Sequence, residues 1–298
     1  SAAAGGAGYF GGGGWGRVST VDKFAFSDDS QSTLGTGLSA ACWRLAAMAN
    51  SGTAGYFGGG NTGSNVDTVD KFAFSDDSRT TLGTGLSAVC FNLAAMANSG
   101  TAGYFGGGED VSNVDTVDKF DFSDDSRTTL GTGLSAARRG PGAMANSGTA
   151  GYFGGGAEAS NVDTVDKFAF SDDSRTTLGT GLSAARVVLA GMANSGTAGY
   201  FGGGGTSWPN RVDTVDKFAF SDDSRTTLGT GLSSAREGPS GMANSGTAGY
   251  FGGGLDSGSS YVDTVDKFAF SDDSRTTLGT GLSSNRGFGG GMANSGSL

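Results

Sequence analysis

Histidine is absent from the 298 residues, cysteine occurs twice and proline three times. The missing imidazole removes the commonest metal ligand and the side chain best suited to general-base work near neutrality. Cys42 and Cys90 stand at the same place in neighbouring copies of a repeated unit, so they do not build the framework of a disulfide-stapled domain. Basic residues are scarce too: 19 Lys plus Arg against 29 Asp plus Glu leave a net charge of -10, a field that repels nucleic acid and anionic membrane surfaces. No nucleic-acid partner is expected. No apolar run approaches the roughly 20 residues that span a bilayer, so no membrane insertion is expected either. The opening SAAAGGAGYFGGGG lacks the basic start and apolar core of a signal peptide.

What the chain does have is repetition. VDTVDKFAFSDDSRTTLGTGLS stands unchanged at 66-87, 162-183, 212-233 and 262-283; 114-135 differs only by Asp121, and 18-39 by Ser19, Gln31 and Ser32. A period of about 48 residues, marked by Tyr9, Tyr56, Tyr104, Tyr152, Tyr200 and Tyr250, makes residues 1-298 a single domain of six repeats. Glycine reaches 58 residues, but without the every-third spacing of collagen and beside enough Tyr, Phe, Val, Leu and Met to form a core.

Four segments of each unit suit strands: the small-residue run around Met (AAMANS, 46-51), AGYFGG (54-59), VDTVDKFAF with its β-branched and aromatic residues, and RTTLGTGLS. NSGT and SDDS supply turns between them. Four antiparallel strands in a meander describe a propeller blade. The Tyr-Phe-Gly-Gly of GYFGGG and the Arg of SAAR at 138 and 186 resemble the kelch repeat, across all six units; the outermost strand departs from it, with Leu82 and its equivalents where kelch has Trp. The resemblance implies an all-β, six-bladed β-propeller, with Arg138, Arg186, Arg236 and Arg286 bonding backbone carbonyls between blades. The chain starts at a second strand and ends after a first one, so the C-terminal strand is expected to complete the N-terminal blade and close the ring. A parallel solenoid is the competing architecture, but it needs polar caps that the sequence lacks.

Beyond these scattered single changes, the units differ mainly in two places. The segment after GGG changes length: GWGR (14-17), NTGSN (61-65), EDVSN (109-113), AEASN (157-161), GTSWPNR (205-211) and LDSGSSY (255-261). The segment before the Met strand changes in sequence only: CWRLAA, CFNLAA, RRGPGA, RVVLAG, REGPSG and RGFGGG. In a meander these are the 2-3 and 4-1 connectors, which share one end of the strands. They carry every Trp, Pro and Glu of the chain, with Tyr261, Phe91 and Phe288. Trp, Tyr and Arg are the usual anchors of interfaces.

The expected function is therefore a non-enzymatic recognition module that binds a protein or glycan through Trp15, Arg17, Trp43, Arg44, Phe91, Asn92, Glu109, Asp110, Arg139, Glu158, Val187, Trp208, Arg211, Glu237, Asp256, Tyr261 and Phe288. It needs no cofactor or metal, is a monomer, and is expected outside the cell or on its surface. A self-assembling surface or appendage protein is the alternative. An enzyme fits less well, because the ionisable groups are mostly copied six times and a catalytic centre needs a unique set. A sialidase-like cluster of Tyr261, Arg286, Arg236 and Glu237 can be drawn, but no motif supports it. The SDDS turns lack the spacing of a calcium loop and read as turn structure, with Arg79 and its equivalents as their solvated partners.

Overall fold

The computed structural model describes residues 6–295; Ser1 to Gly5, part of the stretch read for a signal peptide, and the last three residues of GMANSGSL lie outside the described residues. Six four-stranded antiparallel sheets stand around one axis as a six-bladed β-propeller. In the second blade the order from the axis outward is Ala46–Asn50, Ala54–Gly58, Val69–Ala73 and Arg79–Thr81, with Met48 opposite Tyr56, Tyr56 opposite Lys71 and Lys71 opposite Thr80. The ring closes as expected. Gly290–Ala293 pairs with Ala7–Gly11, placing Met292 opposite Tyr9, and it touches both Ser240–Asn244 of the sixth blade and Ala46–Asn50 of the second.

The outer strand is shorter than RTTLGTGLS suggested. Its ladder stops at Thr81, and the chain then turns back so that Leu86 N reaches Asp67 O at 2.8 Å. Gly85 lies so close to that carbonyl that a Cβ there would sit 2.5 Å from it, which a strand of ordinary residues could not match.

Blades meet through missing side chains. The inner-strand methionine of each blade presses on a second-strand glycine of the next: Met48 on Gly103, Met96 on Gly151, Met144 on Gly199, Met192 on Gly249, Met242 on Gly8 and Met292 on Gly55. A Cβ at any of these glycines would overlap the sulfur. The methionines and framework tyrosines are fully buried.

Polar clamps sit at the rim below. In SDDS only the first Asp holds its own turn, as where Asp76 accepts from Ser78 N at 3.0 Å. The second Asp adopts positive φ and reaches the preceding blade: Asp77 (φ 58°) accepts from Tyr9 OH at 2.9 Å and pairs with Lys23 Nζ at 2.7 Å. The motif recurs around the ring and ends with Tyr250 and Lys267 on Asp29. Burial, then the carboxylate, raises the pKa of every one of these tyrosines. Arg79 does not partner the turn; its Nη1 donates to Gly37 O of the preceding blade at 2.8 Å.

A second set of nodes uses the aspartate of VDKF, which the sequence offers as just another strand residue. Asp166 is fully buried and accepts from Ser135 N, Ser135 Oγ and Thr177 Oγ1, and Arg138 Nη2 pairs with it at 2.9 Å while also donating to Phe153 O at 3.3 Å. Arg186, Arg236 and Arg286 do the same with Asp216, Asp266 and Asp22. The kelch resemblance implied carbonyl bonds between blades; the carbonyl bonded here belongs to the blade that the arginine leads into, and the main partner is a carboxylate. It also takes Arg236 and Arg286 out of any sialidase-like cluster, since neither guanidinium is free.

Gly151→Ala is expected to destabilise the fold by about 1–3 kcal/mol through overpacking against Met96, read as a lower midpoint in denaturant. For Asp22 and Asp166, burial opposes ionisation but hydrogen bonds and the guanidinium outweigh it, so both pKa values lie below the usual range. Stability from these groups is present above the unfolded-state value of about 4 and is lost as pH falls through the lower native values, a decline that acid titration of the unfolding free energy would record.

Candidate functional site

The two variable connectors of each blade emerge at one end of the ring and are zipped together by short antiparallel bridges: Trp43 with Asn61, Phe91 with Glu109, Arg139 with Ala157, Val187 with Gly205 and Glu237 with Leu255. In the remaining blade Gly14 N donates to Gly287 O at 2.8 Å. Opposite ends of the strands therefore carry different material, constant turns below and differing connectors above.

Nearer the axis the upper connectors form a closed circle of backbone hydrogen bonds. Arg44 N donates to Phe288 O, Asn92 N to Arg44 O, Gly140 N to Asn92 O, Val188 N to Gly140 O, Gly238 N to Val188 O and Phe288 N to Gly238 O. All six residues have φ between 55° and 64°. Glycine takes that conformation without steric cost. Val188, β-branched, is strained there, and such strain concentrates where function needs a side chain held in place.

Above the circle lies a basin of about 580 Å³. One wall is an aromatic cluster around Arg44, whose guanidinium stands 4.3 Å from the Trp43 ring, 5.6 Å from Phe91 and 5.4 Å from Phe288. Trp15 meets Trp43 edge-on at 5.6 Å, and Tyr261 meets Phe288 at 6.2 Å. Burial lowers the pKa of Arg44, and its Nε and the Nε1 of Trp43 are buried without a hydrogen-bond partner among the described residues. The far wall carries Val187, Val188, Trp208 and Pro209. Glu109, Arg139 and Glu237 complete the lining: Arg139 Nη1 lies 3.3 Å from Glu109 Oε2, and Glu237 Oε1 is held from behind by Arg211 Nη2 at 3.1 Å.

Arg44, Phe91, Asn92, Glu109, Arg139, Val187, Trp208, Glu237 and Phe288, all expected from the sequence, line this basin. Trp15, Trp43 and Tyr261 join it through the aromatic cluster; Trp15 and Trp208 are 75% and 78% exposed. Asn92 and Phe288 are mostly covered and form its floor. The other expected residues go elsewhere. Arg17 donates to Asn61 Oδ1 at 2.8 Å, Asp256 accepts from Ser260 N within its own turn, and Glu158 is exposed on the rim. Arg211 is a buried support beneath Trp208, its guanidinium 5.1 Å from the indole ring. Asp110 accepts from Asn65 Nδ2 and lines a different cavity. Val188, Ser160, Asn161, Thr206, Ser207, Pro209 and Asn210 also line the basin. Selecting by aromatic and charged type passes over them. Asn161 is needed there because its Nδ2 holds the loop that carries Trp208, donating to Gly205 O and Thr206 O at 2.9 Å.

No protein-family model matches the sequence, and no curated protein matches it. Among solved structures the chain is similar to the one titled "Structure of YjhT", with a TM-score of 0.70 over 84% of this chain and 87% of that one, at 14% identity. The likeness is one of fold. It supports the six-bladed architecture and carries nothing about a ligand.

Val188→Gly is expected to relieve the strained conformation and stabilise the protein by about 1 kcal/mol, seen as a raised unfolding midpoint, whereas Gly140→Val should lower it by a similar amount or more.

Proposed function

We propose that this chain is a kelch-type repeat propeller acting as a non-enzymatic binding module, which presents the basin at its upper end to a protein or glycan. The observation that carries this reading is the coincidence of two patterns. The two segments in which the six near-identical units differ most emerge at the end of the ring that holds the basin, and they bring aromatic, Arg and Glu side chains to it. These are the residue types on which binding energy concentrates. Exposed indole faces at Trp15 and Trp208 suit stacking against a sugar ring or an apolar side chain, and the Arg139–Glu109 pair offers polar groups beside them.

The ionisable groups of the framework support a role without catalysis, since they are engaged in bonds between segments that recur around the ring. The unique carboxylates Glu109 and Glu237 are each paired with an arginine. A self-assembling role calls for a different property of the same surface, an affinity for other copies of the chain.

Glycan and peptide arrays probed with the purified protein are expected to yield a ligand whose affinity falls about 30-fold or more on Trp208→Ala or Trp43→Ala, with the melting temperature little changed. Light scattering should show a monomer. Concentration-dependent oligomers, with no ligand on either array, would reject the module in favour of assembly.

A further inference from the structure

Four units place an arginine before the inner strand, and two place a cysteine there: Cys42 and Cys90. In the arginine units the guanidinium fills a fixed site. Arg186 Nη1 donates to Thr214 O at 3.1 Å, and its Nη2 donates to Phe201 O at 3.2 Å and to Asp216 Oδ2 at 2.7 Å. The repeat makes Thr116, Phe105 and Asp118 the counterparts of those three acceptors in the Cys90 unit. All three line a cavity of about 190 Å³ beside Cys90. One water needs on the order of 10–15 Å³ by such a measure, so the space holds a planar cation with room left over. The Cys42 unit has the same acceptors, Thr68, Phe57 and Asp70, around only about 30 Å³.

We propose that the cavity beside Cys90 is a guanidinium-binding site, vacated by the arginine of the repeat and open to a guanidinium group supplied by a ligand. The Asp118 carboxylate is 4% exposed. It keeps the bonds its siblings have, from Ser87 N at 2.7 Å, Ser87 Oγ at 2.8 Å and Thr129 Oγ1 at 2.6 Å, and Arg127 Nη1 lies 3.5 Å away. What it lacks is the buried pair to a guanidinium, at 2.7–2.9 Å in the four arginine units. Asp110 and the fully exposed Val111 stand at the mouth, so the cavity opens outward. Burial pushes the Cys90 thiol up to about 12, with Asp110 and Asp118 adding to it, so cysteine leaves a neutral wall rather than a competing ligand or a metal-binding thiolate. The Cys90 connector also tolerates the arginine arrangement, because RVVLAG at 186-191 combines Arg186 with Leu189, the counterpart of Leu93.

The site is separate from the basin, and its test does not depend on the basin's ligand. Calorimetric titration with methylguanidinium chloride is expected to show saturable binding that weakens at least tenfold in Asp118→Asn and disappears in Cys90→Arg, whose own side chain occupies the place. Cys42→Arg should leave it unchanged. In a Cys42→Ser background, methylguanidinium should also slow modification of Cys90 by methyl methanethiosulfonate. A short peptide with one arginine that binds more tightly than methylguanidinium would identify a polypeptide arginine as the source; equal affinity would identify a small guanidinium compound. Absence of saturable heat with the folded wild-type protein, or binding that survives Cys90→Arg, would overturn the assignment.

Discussion

Six sheets can stand face to face around a narrow axis only if side chains are absent where they approach most closely. The glycine of AGYFG supplies that absence, and the methionine of the neighbouring blade occupies the space it leaves. Dense interiors tolerate neither a void nor an extra methyl at such a contact, so the Met–Gly wedge constrains both residues and repeats without change in all six blades. The high glycine content of the chain follows from this geometry and from the positive-φ pairs after AGYFG, rather than from flexibility.

Around that apolar wedge the blades are joined by carboxylates from two different places in the repeat. The turn aspartate binds Tyr and Lys of the preceding blade, and the strand aspartate gathers the incoming connector through Ser and, in four blades, Arg. A buried pair of this kind adds little net stability over an apolar substitute, but losing one member leaves a charge in a poor solvent. Cys90 shows how the chain handles such a loss. The carboxylate retains its hydroxyl and backbone donors, and a cavity lies where the arginine units hold a cation.

The upper end obeys a different logic. Its closed hydrogen-bond circle depends on backbone alone, so any residue that accepts positive φ can occupy it, and Arg44, Asn92, Val188 and Phe288 do. That independence lets the connectors differ while the framework stays constant. The aromatic cluster around Arg44 draws on connectors far apart in the chain and exists only because the ring brings them to one centre.

Repeat number, strand order, ring closure and the sharing of one end by both variable connectors were legible in the sequence, because each follows from period, pairing and parity. So was most of the basin, through the gathering of Trp, Arg and Glu in segments that differ. Several facts were decided only by tertiary structure: the outer strand stops at Thr81, the second Asp of SDDS leaves its turn, and Arg211 lies beneath Trp208 rather than on the rim. The same holds for the cavity beside Cys90, since a cysteine in place of an arginine is only a substitution until packing shows which acceptors it uncovers. Local pattern sets what each segment can be; which blade a side chain reaches depends on how the sheets twist past one another, and that is a property of the closed ring.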